Sequence, residues 1–174
     1  ALKQFGKIDI MLANAGILSN LPLTQISDQA FDDVIRTNLV GAFNCLRAAI
    51  PPMRERKHGR IIVTSSQAGR MGFGGLAHYA ASKWGVIGLV KSAALEFAED
   101  GITVNAICPT FTDTPLVRRA GDERVEQMKQ QIGGILQPED IAAGVVELIE
   151  DDTRAGAIMR CTIRGRDYAR EIRP

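Results

Sequence analysis

The sequence has 174 residues, of which 45% are hydrophobic and 24% charged. This balance is typical of a globular domain with an ordinary core and excludes a disordered chain. A formal net charge of +1 provides no basic surface for nucleic acid, so we expect no nucleic-acid partner.

The cysteines and the hydropathy pattern exclude further classes. Cys45, Cys108 and Cys161 lie far apart, without the spacing of a metal site or a disulfide framework. No apolar stretch is long enough to span a bilayer, and the chain does not open like a signal peptide. We therefore expect a cytoplasmic protein with no metal site and no membrane partner.

Predicted strands and helices alternate along the chain. Residues 2–7 resemble the closing turn of a helix. Strands are predicted at 8–13, 60–64, 103–107 and 157–163, and helices at 27–57, 79–98 and 138–150. This alternation indicates a parallel sheet covered by helices on both faces. We predict an α/β fold with about four parallel strands, the C-terminal portion of a doubly wound sheet.

The first strand suggests that the fold continues upstream. A sheet that began at residues 8–13 would expose an unpaired apolar edge. We expect residues 1–174 to be a single domain that forms the second half of a larger fold. Expressed alone, it should associate or aggregate through that edge.

Tyr79 and Lys83 form the strongest chemical signal. Residues four apart share one side of a helix, where the Lys83 ammonium would lower the pKa of the Tyr79 phenol. Ser66 follows the buried strand 60–64, and ligands of parallel sheets bind beyond the carboxyl ends of strands. This arrangement predicts acid/base chemistry on a carbonyl or an alcohol.

Five short motifs occur in a recognisable order. They are Asn14-Ala15-Gly16, Asn38 within R-T-N-L-V-G-A-F, Ser65-Ser66, Y-A-A-S-K at 79–83, and N-A-I-C-P at 105–109. With these motifs, nearly the whole chain resembles the short-chain dehydrogenase/reductase family, which implies a Rossmann-like fold. Its later part, from Gly134 through L-I-E-D-D-T-R-A-G-A-I-M-R, looks most like the branch containing 15-hydroxyprostaglandin dehydrogenase.

The resemblance implies a catalytic tetrad and a cofactor site. The tetrad would be Asn38, Ser66, Tyr79 and Lys83, with Asn38 holding a water that relays protons from Lys83. The cofactor would be NAD, with NADP not excluded, bound by residues that the family motifs supply: Asn14, Gly16, Tyr79, Lys83, Pro109, Thr110, Thr112 and Thr114. Asn14 could instead tie two strands together, and Asn38 could simply interrupt a helix.

The segments around Tyr79 predict an apolar substrate site. Met71, Phe73 and Leu76 would form its wall beside Ser66, and residues 111–128 a flap with Leu116 and Val117 facing in. His78 is interpreted as a wall or surface residue, with a general base as the alternative. The substrate would be a hydrophobic secondary alcohol or ketone.

The resemblance implies hydride transfer between NAD(P) and that substrate. Two alternatives stay open: a truncated, non-catalytic piece or binding module, and an NADP-linked reductase of 3-oxoacyl thioesters. The family's Gly-rich turn for the pyrophosphate does not occur in this sequence, and Thr110 stands where the family usually has glycine. The resemblance also implies a homodimer or homotetramer built through the two long helices.

Overall fold

Five strands form one sheet in the computed structural model, which describes residues 1–119 and 121–168. In chain order, which is also their order in the sheet, they are β1 (Ile10–Ala13), β2 (Gly59–Thr64), β3 (Ile102–Pro109), β4 (Ile158–Thr162) and β5 (Gly165–Tyr168). The first four are parallel to one another, which confirms the predicted α/β, Rossmann-like sheet.

The fifth strand corrects the sequence prediction. β5 pairs antiparallel with β4 after the short turn at Ile163 and Arg164, so the sheet has five strands and not four. The sequence G-R-D-Y of β5 lacks the alternation of apolar and polar residues that marks a half-buried strand. Charged residues are common on edge strands because they oppose pairing with another chain.

Helices cover both faces of this sheet. They are α1 (Leu2–Phe5), α2 (Asp28–Ile35), α3 (Gly41–Glu55), α4 (Ala77–Glu96), α5 (Pro115–Arg118), α6 (Asp122–Ile132) and α7 (Pro138–Glu150). The long helix predicted at 27–57 consists of α2, a π-helical turn at Arg36–Val40, and α3. The flap predicted at 111–128 contains α5 and the first part of α6, and its Ala120 lies outside the described residues.

Local signals in the sequence explain where these helices begin. Ser27 caps α2 by accepting a hydrogen bond from the Ala30 amide at 3.2 Å. Pro138 occupies the first turn of α7, and the Asp140 carboxylate accepts from the Gln137 amide at 2.7 Å. Both starts agree with the sequence prediction.

Two apolar clusters fill the space between the sheet and its helices. On one face, Ile61 and Val63 of β2 pack with residues of α3 and α4. On the other face, Ile62 packs with Leu148 of α7. Because successive side chains of a strand point to opposite faces, β2 is buried on both sides. That burial is why its sequence is a continuous apolar run.

The register of the strands places the motifs at one end of the sheet. Ala13 of β1 pairs with Val63 of β2, which pairs in turn with Ala106 of β3. The carboxyl ends of these three strands therefore lie together at one end of the sheet. Asn14 follows β1, Ser65 follows β2 and Thr110 follows β3. Across the residues that the structure describes, no helix has the length and apolar character needed to cross a membrane.

Gly101 directly precedes β3, and its close approach to the backbone of Lys57 can be tested. Its φ is 71°, and a Cβ there would overlap the carbonyl oxygen of Lys57. We expect Gly101→Ala to lower the free energy of unfolding by about 2–4 kcal/mol, measured by urea denaturation. A Cβ at Gly72 would meet nothing, so Gly72→Ala should change the stability by less than about 1 kcal/mol. Equal effects of the two changes would contradict this close approach.

Candidate active site

Lys83 anchors the helix α4 to the end of β2. Its Nζ donates a hydrogen bond to the Thr64 carbonyl at 2.7 Å, and only 3% of the residue is exposed. Burial lowers the pKa of this ammonium to about 8, because removal from water disfavours the charged form. The Ser65 hydroxyl donates to the Lys83 carbonyl at 2.9 Å and fixes the same turn from the backbone side.

Tyr79 lies one turn before Lys83 in the same helix. The Lys83 Nζ sits over the Tyr79 ring, 5.6 Å from its centroid. Burial raises the pKa of the Tyr79 phenol, and the Ser66 hydroxyl lowers it in part. This direction is opposite to the lowering expected from the sequence. Tyr79 is only 9% exposed, so the loss of solvent is the largest influence on the phenol and outweighs the hydrogen bond from Ser66.

Ser66 follows β2 directly and opens a short 3-10 turn at Gln67–Gly69. Its Oγ accepts a hydrogen bond from the Ala68 amide at 3.1 Å, which fixes the side chain at the carboxyl end of the sheet. The hydroxyl proton stays available for a second partner, since a hydroxyl both donates and accepts. Ser66 therefore lies where the sequence places it, beside the phenol of Tyr79.

Asn38 occupies the π-helical turn and is 2% exposed. Its Oδ1 accepts from the Ile17 amide at 2.8 Å, and its Nδ2 donates to the Ile17 carbonyl at 3.0 Å. The same Nδ2 donates to the Ser82 hydroxyl at 3.0 Å. Asn38 thus joins the segment after β1 to α4. The water relay expected from the family resemblance stays a prediction.

Asn14 and Gly16 lie at the end of β1. The Thr64 hydroxyl donates to Asn14 Oδ1 at 2.8 Å, so Asn14 does tie β1 to β2 while it remains exposed. A Cβ at Gly16 would lie 3.5 Å from both Asn38 Oδ1 and Lys83 Nζ. The backbone of Gly16 therefore passes close to two residues of the predicted tetrad. Cofactor contacts of Asn14 and Gly16 remain predictions.

Three threonines organise the loop after β3. The amide and hydroxyl of Thr110 both donate to the Cys161 carbonyl, at 3.0 and 3.1 Å. Thr112 donates to the Thr110 carbonyl at 3.2 Å, and Thr114 to the Thr112 carbonyl at 3.3 Å. These hydroxyl protons are engaged within the protein. The loop from Pro109 to Thr114 is fixed, and its contact with a nicotinamide stays a prediction.

The predicted apolar wall lies partly against Tyr79. Phe73 and Leu76 pack on the buried cluster that contains Tyr79, whereas Met71 is 48% exposed. Leu116 is half-buried on α5, which the Asp113–Arg118 ion pair at 2.6 Å holds in place. The roles of Met71 and Leu116 toward a substrate are not fixed by these contacts.

Sequence reasoning missed several residues that shape the site. Ile17 and Leu18 pack on the Tyr79 cluster, and their position directly after Asn14-Ala15-Gly16 was the available signal. Ser82 bridges Asn38 and the Tyr79 carbonyl, to which it donates at 2.7 Å. Its place within Y-A-A-S-K gave no separate indication of this bridge.

Two clefts elsewhere on the molecule are lined by none of the predicted catalytic, cofactor-binding or substrate residues. One, of about 260 Å³, lies between Ile135, Leu136 and the turn after β4. The other, of about 440 Å³, lies at the opposite end of the sheet near His58 and Arg60. Within residues 1–119 and 121–168, no three His, Cys, Asp or Glu side chains gather as metal ligands would.

Comparison with known proteins decides the family. The model of the family described as short chain dehydrogenase matches residues 1–125. The chain belongs to the short-chain dehydrogenase family. The branch resemblance to 15-hydroxyprostaglandin dehydrogenase stays a prediction.

Relatives of this short-chain dehydrogenase include named reductases. It is 44% identical over 155 residues to 3-oxoacyl-[acyl-carrier-protein] reductase FabG of Staphylococcus aureus, covering 88% of this chain and 63% of that protein. The Escherichia coli protein of the same name is 39% identical over 151 residues, covering 86% and 62%. The chain therefore spans less than two thirds of the length of these relatives.

Two solved structures share the fold. Levodione reductase superposes with a TM-score of 0.87 at 30% identity, over 91% of this chain and 67% of that one. ElxO with NADP bound superposes with a TM-score of 0.85 at 29% identity, with the same coverage.

Asn38 offers a stability test of the site. Asn38→Leu would leave both backbone groups of Ile17 and the Ser82 hydroxyl without this partner. We expect the free energy of unfolding to fall by about 2–4 kcal/mol in urea denaturation. Asn44 is exposed on α3, so Asn44→Leu should change it by less than about 0.5 kcal/mol. A loss at Asn38 no larger than at Asn44 would show that these hydrogen bonds contribute little.

Proposed function

We propose that this protein catalyses hydride transfer between NADP(H) and a 3-oxoacyl thioester, with Tyr79 as the proton donor. The observation that carries the proposal is the hydrogen bond from Lys83 to the Thr64 carbonyl at 2.7 Å. That bond fixes a cation beside the phenol, and Ser66 lies next to the same phenol. General acids that protonate a substrate oxygen require this kind of fixed geometry.

The residues around Lys83 fit a nicotinamide cofactor. An ammonium has three N–H donors, and Thr64 receives one of them. The space beside Gly16 stays open because glycine has no side chain. A Cβ at this position would lie 3.5 Å from Lys83 Nζ. Lys83 and Tyr79 would hold the ribose next to the nicotinamide, and the loop 109–114 would hold its carboxamide. When bound, the cofactor supplies the hydride.

The chain's own residues would manage the proton. Tyr79 would give its proton to the ketone oxygen in reduction and take it back in oxidation. Ser66 would donate a hydrogen bond to the same oxygen and stabilise the developing negative charge. The ammonium of Lys83 would favour the phenolate that remains on Tyr79. Asn38 would fix the turn of α4 that carries Tyr79 and Lys83.

The substrate class rests on the relatives. Two proteins that are 39–44% identical are named 3-oxoacyl-[acyl-carrier-protein] reductases, which favours the thioester over the simple secondary alcohol predicted first. The structure of ElxO with NADP bound favours NADP over NAD. A hydrophobic ketone is the second candidate, because levodione reductase shares the fold and Phe73 and Leu76 line the side of Tyr79.

The two long helices, α3 and α4, are the proposed contact surface between copies of this chain. α3 and α4 expose large apolar side chains, Phe43 at 44%, Trp84 at 48% and Leu95 at 85%. Large apolar patches mark protein contacts, and the family resemblance implies a contact through the same two helices. We therefore place the contact of a homodimer or homotetramer on these helices.

Tyr79→Phe tests the proton donor. It should lower kcat for acetoacetyl thioester reduction with NADPH by at least about 100-fold, since general acids contribute that much. Tyr168→Phe is the matched control because it removes the hydroxyl bound to Glu147 on the far strand β5. The control should keep parental turnover in a spectrophotometric assay of NADPH oxidation.

Two results would contradict the proposal. Activity of Tyr79→Phe within about tenfold of the parent would refute the role of the phenol. A folded parent that reduces neither a thioester nor a simple ketone, with NADPH or with NADH, would favour the non-catalytic binding module.

A further inference from the structure

The segment of residues 16–21, here named the crossing segment, passes over the first turn of α4. It is attached at three points. Ile17 is bound through both backbone groups to Asn38. The Ser19 hydroxyl lies 2.8 Å from His78 Nε2, and the Leu21 amide donates to the Gly75 carbonyl at 3.0 Å. Of these attachments, the one between Ser19 and His78 is made by a side chain of α4.

His78 stands directly before Tyr79 and is completely buried, with 0% exposure. Burial lowers the pKa of its imidazole, so the ring is neutral near neutral pH. The other ring nitrogen, Nδ1, is buried and has no hydrogen-bond partner among the described residues. The sequence expectation of a wall or surface residue is therefore wrong about the surface.

These contacts favour one tautomer of the neutral ring. A proton on Nδ1 would be a buried N–H donor without an acceptor, which is rare and costly in proteins. A proton on Nε2 instead meets the Ser19 oxygen at 2.8 Å. An unpaired acceptor at Nδ1 is then the smaller penalty.

We propose that His78 is a positioning residue whose Nε2–H donates to Ser19 and holds the crossing segment against the turn of α4 that carries Tyr79. The inference rests on the proposed function. The crossing segment brings Gly16 beside Lys83 Nζ and packs Ile17 and Leu18 on the Tyr79 cluster. His78 therefore sets the distance between the cofactor side of the site and the phenol, without touching the reacting atoms.

A plain packing role makes different predictions from a positioning role. His78→Leu keeps an apolar volume but removes the hydrogen bond, whereas His78→Gln can still place a nitrogen donor near Ser19. Ser19→Ala removes the other partner. His58 is exposed, and since the sequence has two histidines, His58→Gln is the matched control and also assigns the ring signals.

The first test needs no activity. In the parent protein, ¹⁵N NMR should show His78 as the neutral tautomer protonated at Nε2. Amide hydrogen exchange at Ile17 and Leu21 should speed by at least about tenfold in His78→Leu and Ser19→Ala, because the crossing segment opens locally. It should stay parental in His78→Gln and His58→Gln. The Ser65 amide, bonded to the Ile107 carbonyl at 2.8 Å, should be unaffected in all of them.

Several results would overturn the positioning role. An Nδ1-protonated ring would do so, as would unchanged exchange at Ile17 and Leu21 in His78→Leu. Equal acceleration at Ser65 would show that His78 only fills the core. Exchange in His78→Gln as fast as in His78→Leu would mean that the hydrogen bond is not what matters.

The second test uses turnover. We expect kcat to fall about 10- to 100-fold in His78→Leu and in Ser19→Ala, since small displacements of a reacting group have effects of that size. The double variant should fall no further, and His78→Gln should recover most of the loss. Additive losses would contradict the shared hydrogen bond. A parent without reductase turnover would refute the proposed function, and the exchange and NMR results would still decide the role of His78.

Discussion

The structure depends on the buried ammonium of Lys83, which is hydrogen-bonded to the last residue of the strand β2. Lys83 Nζ donates to the Thr64 carbonyl at 2.7 Å and has a pKa of about 8, against 10.5 for an exposed lysine. A shift of this size corresponds to a cost of about 3 kcal/mol when the ammonium is charged. Below pH 8 the charge is present in both the folded and the unfolded states, and the cost is complete. As the pH rises from 8 toward 10.5, the folded protein releases this proton first and the cost is relieved.

The rest of the site is arranged around that contact. The Ser65 hydroxyl donates to the carbonyl of Lys83, and Ser82, the residue before Lys83, links Asn38 to the Tyr79 carbonyl. The turn of α4 is thereby fixed to β2 on one side and to the π-helical turn on the other. A phenol held in this way has little freedom to move away from the substrate oxygen that we propose it protonates. Fixed geometry of this kind is what acid catalysis requires.

The sequence predicted the parts of this structure that depend on local pattern. The run of apolar residues in β2 and the Pro138 start of α7 gave elements whose bounds differ little from those observed. The spacing of Tyr79 and Lys83 gave their common helix face. What it could not give was the outcome of competing effects. Burial raises the pKa of the Tyr79 phenol despite the hydrogen bond from Ser66, and only the folded structure shows how deeply the phenol is buried. The strand β5 forms by pairing with β4, and its own polar sequence gives no sign of that pairing.

The pKa of Lys83 tests the account most directly. NMR of the protein with ¹³C-labelled lysine would follow the ammonium through its titration, with the signal assigned by its loss in Lys83→Met. We predict a midpoint near 8. A midpoint near the ordinary value of about 10.5 would mean that the ammonium is solvated, that Lys83 does not attach α4 to β2, and that the predicted tetrad is not assembled.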